Sequence, residues 1–216
     1  MGTILSLSIL IAALFPAREE AYSATTEGRR GLISLGAQAP DFRLTDTVSG
    51  KTVARDDFRD RKALLVIILC RHCPYVQNVK KGIAGLAKDY AGKDIAIVGI
   101  SANDPASISV DRPESLKEMA LKEGFSFPLL FDETQEVAKA YTAVATPDFF
   151  LFDQNRRLVY RGQFDDSRPG NGKPVTGQDV RRAIDALLEG RPVPKDQRPA
   201  FGCSIKWKPG NEPAYF

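Results

Sequence analysis

The stretch Ala63-Leu64-Leu65-Val66-Ile67-Ile68-Leu69-Cys70-Arg71-His72-Cys73-Pro74 joins seven apolar residues to a C-x-x-C-P sequence. A run this short, apolar throughout and β-branched in its middle, has the pattern of a strand buried on both faces. Beyond Pro74, apolar residues recur at Val76, Val79, Ile83, Leu86 and Tyr90, which is the spacing of one helix face. The two cysteines therefore stand at a strand-to-helix junction. Sulfurs at that spacing reach one another within a single turn, and a helix N-terminus favours a thiolate over a thiol. His72, the one histidine of the chain, lies between them and can add positive charge beside a thiolate. The arrangement points to a dithiol that cycles between reduced and oxidised states.

Outward from this centre the punctuation is regular. Ala39 to Leu44 and Ser49 to Val53 predict two extended pieces joined by a Ser-Gly turn, a hairpin within Ala37–Phe58. Ile95–Ile100 reads as a second buried strand. Pro113–Gly124 reads as a helix, with proline in its first turn and glycine just past its end. Pro128–Phe131 predicts a short strand, and Asp132 a cap for a helix over Glu133–Tyr141. Asp148–Phe152 and Leu158–Gly162, separated by the turn Asp153-Gln154-Asn155-Arg156, should pair antiparallel. Thr176 is expected to cap a last helix near Gln178–Glu189. Alternation followed by a hairpin predicts an α/β fold, a mixed central sheet flanked by helices on both faces. From Arg191 on, frequent prolines and glycines predict a tail without regular structure.

The 216 residues suit one domain with trimmings. The expected division is a signal peptide over 1–23, a linker over 24–36, the domain over 37–190 and a C-terminal tail over 191–216. Ile4–Phe15 is apolar apart from Ser6 and Ser8, too short to span a bilayer but suited to a signal-peptide core. Ala21-Tyr22-Ser23 offers small residues before Ala24, although no Lys or Arg precedes the apolar core. The expectation is an extracytoplasmic protein, periplasmic or secreted, with no membrane span in its mature form; without such a leader it would be cytoplasmic. Met1-Gly2 with Ser6 also fits a myristoylation pattern. The net charge of +3, with basic residues dispersed, argues against a nucleic-acid partner. Three cysteines are too few for a disulfide scaffold, and one histidine precludes a histidine-rich metal site. A zinc site would need Cys70, His72, Cys73 and Cys203 to converge, and their tight grouping strains tetrahedral geometry. No metal or organic cofactor is expected.

The element order, with C-x-x-C after the first central strand, resembles the thioredoxin fold. The resemblance is closest to the AhpC/TSA peroxiredoxins and the exported thioredoxin-like proteins, and runs from about residue 36 to 190. Ala37-Gln38-Ala39-Pro40-Asp41-Phe42-Arg43-Leu44 resembles the opening segment of that branch, and Ala145-Thr146-Pro147-Asp148-Phe149-Phe150-Leu151-Phe152-Asp153 its proline loop and following strand. Asp165–Asn171 and Gly202–Trp207 are similar to a peroxiredoxin-like subgroup carrying C-x-H-C-P. The resemblance implies a thioredoxin-like fold with an N-terminal hairpin extension. It also implies that the Thr146–Pro147 bond is cis and faces the dithiol, leaving the Thr146 backbone to pair with a substrate strand.

Two registers compete for the attacking thiol. By motif it is Cys70, the first cysteine, with Cys73 resolving. By strand spacing it is Cys73, because proline fits a first helical turn and Pro74 places Cys73 at the N-cap, with Cys70 resolving. His72, Thr146 and Pro147 are the candidate supporting residues. Cys203 is either a tail cysteine covering the core or an extra resolving thiol brought back by the tail. Trp207, the sole tryptophan, is expected to pack the tail down. The leading function is thiol–disulfide oxidoreductase, acting on a protein or small-molecule disulfide and coupled to a thiol reductant that the sequence does not identify.

The alternative function is a thiol peroxidase with an antioxidant role. Peroxidases of the AhpC/TSA type carry Thr or Ser three residues before the attacking cysteine and Pro seven before. From Cys73 those positions hold Cys70 and Val66, and from Cys70 they hold Ile67 and Ala63. Their partner arginine has no clear match, though Arg161 could approach from a neighbouring strand. A third reading is a non-catalytic binding module that keeps the fold, its cysteines binding copper or having no role; thioredoxin-like metallochaperones use C-x-x-x-C and a distant His, and C-x-x-C with no second His argues against the copper role.

Overall fold

The computed structural model describes residues 22–23 and 31–215. In chain order its elements are β1 (Tyr22–Ser23), β2 (Arg43–Asp46), β3 (Thr52–Ala54), β4 (Ala63–Ile68), α1 (Pro74–Asp89), β5 (Ile95–Ser101) and α2 (Pro113–Glu123). They continue with β6 (Leu129–Phe131), α3 (Glu136–Ala140), β7 (Asp148–Phe152), β8 (Leu158–Gly162), α4 (Gln178–Leu188) and β9 (Phe201–Gly202). Short 3-10 turns follow β3 and precede α2.

Seven strands form one mixed sheet in the order β3-β2-β6-β5-β4-β7-β8. β4 is central, parallel to β5 and antiparallel to β7, with Val66 opposite Val98 on one side and Phe150 on the other. Every residue of β4 is buried, which explains its unbroken apolar sequence. Leu65, Ile67 and Leu69 pack on one face with Val76, Val79, Ile83 and Leu86 of α1. Leu64, Val66 and Ile68 pack on the other with Tyr141, Phe150, Phe152 and Trp207. Helix α1 begins directly after β4 and its loop, with Cys73 in extended conformation at the N-cap and Pro74 in the first turn. The expected hairpin is β2–β3, and β7–β8 pair antiparallel as anticipated.

Three expectations are corrected. Helix α3 starts at Glu136 rather than Glu133, because Gln135 takes φ 65° and interrupts the turn after β6. Asp132 is not the N-cap residue, which is Gln135, but its Oδ2 accepts the Ala138 N–H at 2.8 Å and so still holds a donor of the first turn. The N-cap of α4 is Gly177, at φ 66°, and not Thr176. A Cβ at Gly177 would lie 2.5 Å from the Phe164 ring, so the close approach requires glycine there. Thr176 still accepts the Gln178 N–H through Oγ1, at 3.3 Å. The tail, finally, is not wholly irregular: Phe201–Gly202 is strand β9, paired antiparallel with Tyr22–Ser23. Trp207 is buried, as expected of an anchor.

Apart from Tyr22–Ser23, the expected leader, the myristoylation pattern and most of the expected linker lie outside the described residues. Gly31–Gly36 runs against the domain, with the Gly36 N–H bonded to the Leu158 carbonyl at 2.8 Å and the Ile33 N–H to Thr142 Oγ1 at 2.8 Å. Among the described residues no helix is long and apolar enough to cross a membrane.

Arg161 is committed elsewhere in the sheet. Its Nη2 lies 3.1 Å from Asp148 Oδ2 and 2.7 Å from the Thr142 carbonyl, and its guanidinium sits over the Phe150 ring. Burial raises the Asp148 carboxyl and Arg161 opposes that rise. Removing the cation leaves a buried carboxylate unpaired, so Arg161→Ala should cost about 3–5 kcal/mol. Urea denaturation measures it; a loss below about 1 kcal/mol, the scale of an exposed pair, would contradict the assignment.

Candidate redox site

All six residues singled out in the sequence converge at the end of β4 and the start of α1. The Thr146–Pro147 peptide bond is cis and lies in the loop entering β7. The Thr146 carbonyl faces the first turn of α1, and Cys73 Sγ lies 3.1 Å from its oxygen. The Thr146 hydroxyl faces Cys70, with 3.3 Å between Oγ1 and Sγ. One residue thus holds both cysteines of the motif, through its main chain and its side chain. None of the three cysteines is in a disulfide, and Cys70, Cys73 and Cys203 are all buried.

His72 turns toward Cys70 rather than Cys73. Its Nδ1 is 3.5 Å from Cys70 Sγ and 2.6 Å from Asp111 Oδ2. In the tautomer with its hydrogen on Nδ1, the ring donates to Asp111 Oδ2. Asp111 Oδ1 accepts the main-chain N–H groups of Arg71 and His72, at 2.6 and 2.9 Å. Asn103 Nδ2 donates to Asp111 Oδ2 at 2.8 Å. This buried carboxylate therefore shapes the Arg71-His72 turn between the two cysteines. Burial pushes Asp111 up, but hydrogen bonds from His72 and Asn103 overcome it and hold the carboxyl below its ordinary value. Arg71 itself extends outward to Glu118 Oε2 and the Ser115 carbonyl, both at 2.8 Å.

Asp111 and Asn103 were not candidates in the sequence. Both lie in the loop between β5 and α2, and Asp111 precedes Arg112-Pro113, where an acidic residue reads as a helix cap. The donor atoms of Cys70, His72 and Asp111 lie within 4.8 Å of one another, a spacing compatible with a metal ion. The 2.6 Å separation of Nδ1 and Oδ2 is that of a hydrogen bond, and the two groups satisfy each other without an ion.

The two motif thiols are driven apart in acidity. Burial pushes Cys70 well up, and its contact with Cys73 and the charge of Asp111 push the same way. Cys73 moves down. Hydrogen bonds from the Cys203 thiol and then from the Cys70 thiol favour its thiolate against the cost of burial, and the Val76 N–H in the first helical turn adds to them. As a neutral thiol, Cys73 donates to the Thr146 carbonyl. As a thiolate it loses that bond and is held by the donors just named. Those donors outweigh burial and favour the thiolate; the Thr146 carbonyl also accepts the main-chain N–H of Cys203, at 3.2 Å.

The tail completes the site. Cys203 and Thr146 form an antiparallel bridge, with the Thr146 N–H donating to the Cys203 carbonyl at 2.8 Å. The approach is so close that a Cβ at Gly202 would stand 1.9 Å from the Thr146 oxygen. Phe201 packs edge-on to Tyr75 of α1, with ring centroids 5.3 Å apart, and the Arg168 guanidinium lies over the Phe201 ring. Further along, the Lys206 N–H donates to Asn103 Oδ1 at 2.8 Å, which ties the tail to the group that holds Asp111.

A central β4 with a helix starting at a cysteine N-cap, facing a cis-proline loop, defines a thioredoxin fold. A thiol:disulfide interchange protein of the thioredoxin family from Chlorobium tepidum superposes with a TM-score of 0.56 at 17% identity, covering 72% of this chain and 99% of that one. Residues 35–161 match the AhpC/TSA family, and the chain belongs to it. An uncharacterised conserved protein from Geobacillus kaustophilus is similar at 48% identity, with a TM-score of 0.83 over 88% of this chain and 98% of its own. Thiol-disulfide oxidoreductase ResA of the same organism is 26% identical over 57% of this chain, and the match spans 66% of that relative's length, just under two thirds.

The bridge yields a prediction. Gly202→Ala forces the tail away from Thr146 and should cost about 1–3 kcal/mol, the usual scale of overpacking. Thermal unfolding reads the loss. A variant as stable as the parent would show that the tail does not seat this closely.

Proposed function

We propose that the protein is a thiol–disulfide oxidoreductase in which Cys73 is the working thiolate and Cys70 its partner in the motif. The observation that carries this reading is the opposite drive on the two thiols. Cys73 sits at a helix N-cap among hydrogen-bond donors, and Cys70 is buried near a carboxylate. A thiolate is the species that attacks a disulfide, and a protonated neighbour is the form that waits to resolve the product. Stabilising the thiolate also favours the reduced state, so the disulfide is an oxidising one. The activity named for ResA agrees with this chemistry. His72 and Asp111 act as positioning residues that fix the turn between the sulfurs. The apolar segment Ile4–Phe15 supports placement outside the cytoplasm, where protein disulfides are substrates.

A second reading, thiol peroxidase, has one observation in its favour beyond the family. The sulfurs are covered, so a small oxidant reaches them more easily than a protein does. Against it, the position of the peroxide-binding Thr or Ser is taken by Cys70, and Arg161 is committed to Asp148. Among the described residues, neither of the two donors that the family places beside its attacking cysteine is available to Cys73.

Turnover of a model disulfide decides between them. Cys73→Ser and Cys70→Ser should each lower turnover by about a hundredfold or more, and hydrogen peroxide should react with Cys73 far more slowly than the disulfide does. Full turnover in both variants would remove the dithiol mechanism. Rapid sulfenic acid formation at Cys73 would put the peroxidase reading first.

A further inference from the structure

The third cysteine lies inside the reaction centre. Cys203 pairs through both its N–H and its carbonyl with Thr146, the residue whose carbonyl also contacts Cys73 Sγ. The Cys203 N–H and the Cys73 sulfur therefore converge on one oxygen atom, at 3.2 and 3.1 Å. Cys203 is packed in the same core cluster as Cys70 and Cys73. Its seat is built rather than incidental, since Gly202 admits the close approach and Phe201 and Lys206 anchor the strand on either side. An incoming substrate strand would need the Thr146 main-chain groups that Cys203 already holds. Of the three cysteine residues Cys203 alone keeps any exposure, at 4% against 0% for Cys70 and Cys73.

We propose that Cys203 is a working redox thiol that relays between an external disulfide and the buried dithiol, through an internal Cys73–Cys203 disulfide. The proposal rests on the oxidoreductase reading and names the thiol that serves as its internal substrate. Exchange starts when Cys203 passes the proton of its hydrogen bond to the Cys73 thiolate, and the Cys203 thiolate so formed attacks an external disulfide RSSR. A Cys203–SR bond forms, and RS⁻ leaves with that proton as RSH, which returns Cys73 to its thiolate. The Cys73 thiolate then attacks the Cys203 sulfur, forming Cys73–Cys203 and expelling the second RS⁻, which takes a proton from solvent. Cys70 attacks the Cys73 sulfur, forms Cys70–Cys73 and passes its proton to the departing Cys203. The Cys70–Cys73 dithiol loses two electrons, RSSR becomes two RSH, and Cys203 is regenerated. No departure of the tail is required, which suits small disulfides better than folded protein substrates.

The test traps the intermediate. The Cys70→Ser protein is exposed to oxidised glutathione, quenched in acid, alkylated and mapped by peptide mass spectrometry. In parallel, glutathione-disulfide turnover is measured for the wild type and for Cys203→Ser. The expected result is a Cys73–Cys203 cross-linked peptide in Cys70→Ser, with turnover in Cys203→Ser reduced about tenfold or more. Cys203 alkylated in the trap, with glutathione on Cys73 alone, overturns the relay while leaving the exchange reading intact. A cross-link accompanied by wild-type turnover in Cys203→Ser makes the bond a side product and also overturns it. A wild type that does not exchange with glutathione disulfide overturns both readings. The trap keeps Cys203 in place, so it stands even if Cys203→Ser folds poorly.

Discussion

The antiparallel bridge between Thr146 and Cys203 is the constraint on which the site depends. It fixes the carbonyl that Cys73 faces and the hydroxyl that Cys70 faces, and it brings the third sulfur to the same place. Its two main-chain hydrogen bonds are individually modest, on the order of 1 kcal/mol net each. Their weight comes from position. They join the loop entering β7 to a tail anchored further along by Asn103 and Gln135, the latter donating from Nε2 to the Lys206 carbonyl at 3.0 Å. Asn103 is shared with Asp111, so the turn holding the cysteines and the tail covering them belong to one network.

Burying sulfur beside sulfur has an electrostatic cost that the site distributes unevenly. A buried thiolate needs donors, and Cys73 has them from the two other thiols and the first helical turn. Cys70 has Asp111 nearby and a covered environment, which disfavour its charge. The two thiols therefore behave as one coupled group with the negative charge placed on Cys73. Asp111 serves a separate purpose. Its carboxylate is spent on two main-chain N–H groups, on His72 and on Asn103, so its effect on chemistry runs through the shape of the Arg71-His72 turn. The peroxidase alternative meets this arrangement badly, because a thiol fills the place of a hydroxyl donor and the candidate arginine, Arg161, is buried with Asp148.

What the sequence discloses follows from the range of each interaction. β4 and α1 were legible because apolar period and Pro74 are local signals, and those signals also place Cys73 at the N-cap. The start of α3 was not, because a positive φ at Gln135, a residue with no special preference for it, overrides the capping pattern of Asp132. Strand β9 was hidden for a different reason. Two residues pairing with Tyr22–Ser23 across the whole domain have no periodicity, and the demand on Gly202 comes from the oxygen of sequence-distant Thr146. Asn103 and Asp111 were hidden likewise, since a buried acid and amide in a loop look the same in one sequence as surface caps. Cys203 was visible as a thiol, but its seat beside Cys73 was not.

The central claim is that Cys73 carries a stabilised thiolate. Because its folded pKa is depressed, ionisation contributes stability that is fully present above the unfolded thiol range and is lost as pH falls through the folded pKa. The direct measurement is a titration of thiolate ultraviolet absorbance in the reduced protein, with Cys73→Ser as reference. The account predicts one thiolate signal that persists to pH well below the ordinary thiol range and is absent in Cys73→Ser. A protein whose thiols all titrate in the ordinary range, or whose acid-stable signal survives in Cys73→Ser and vanishes in Cys70→Ser, would contradict it.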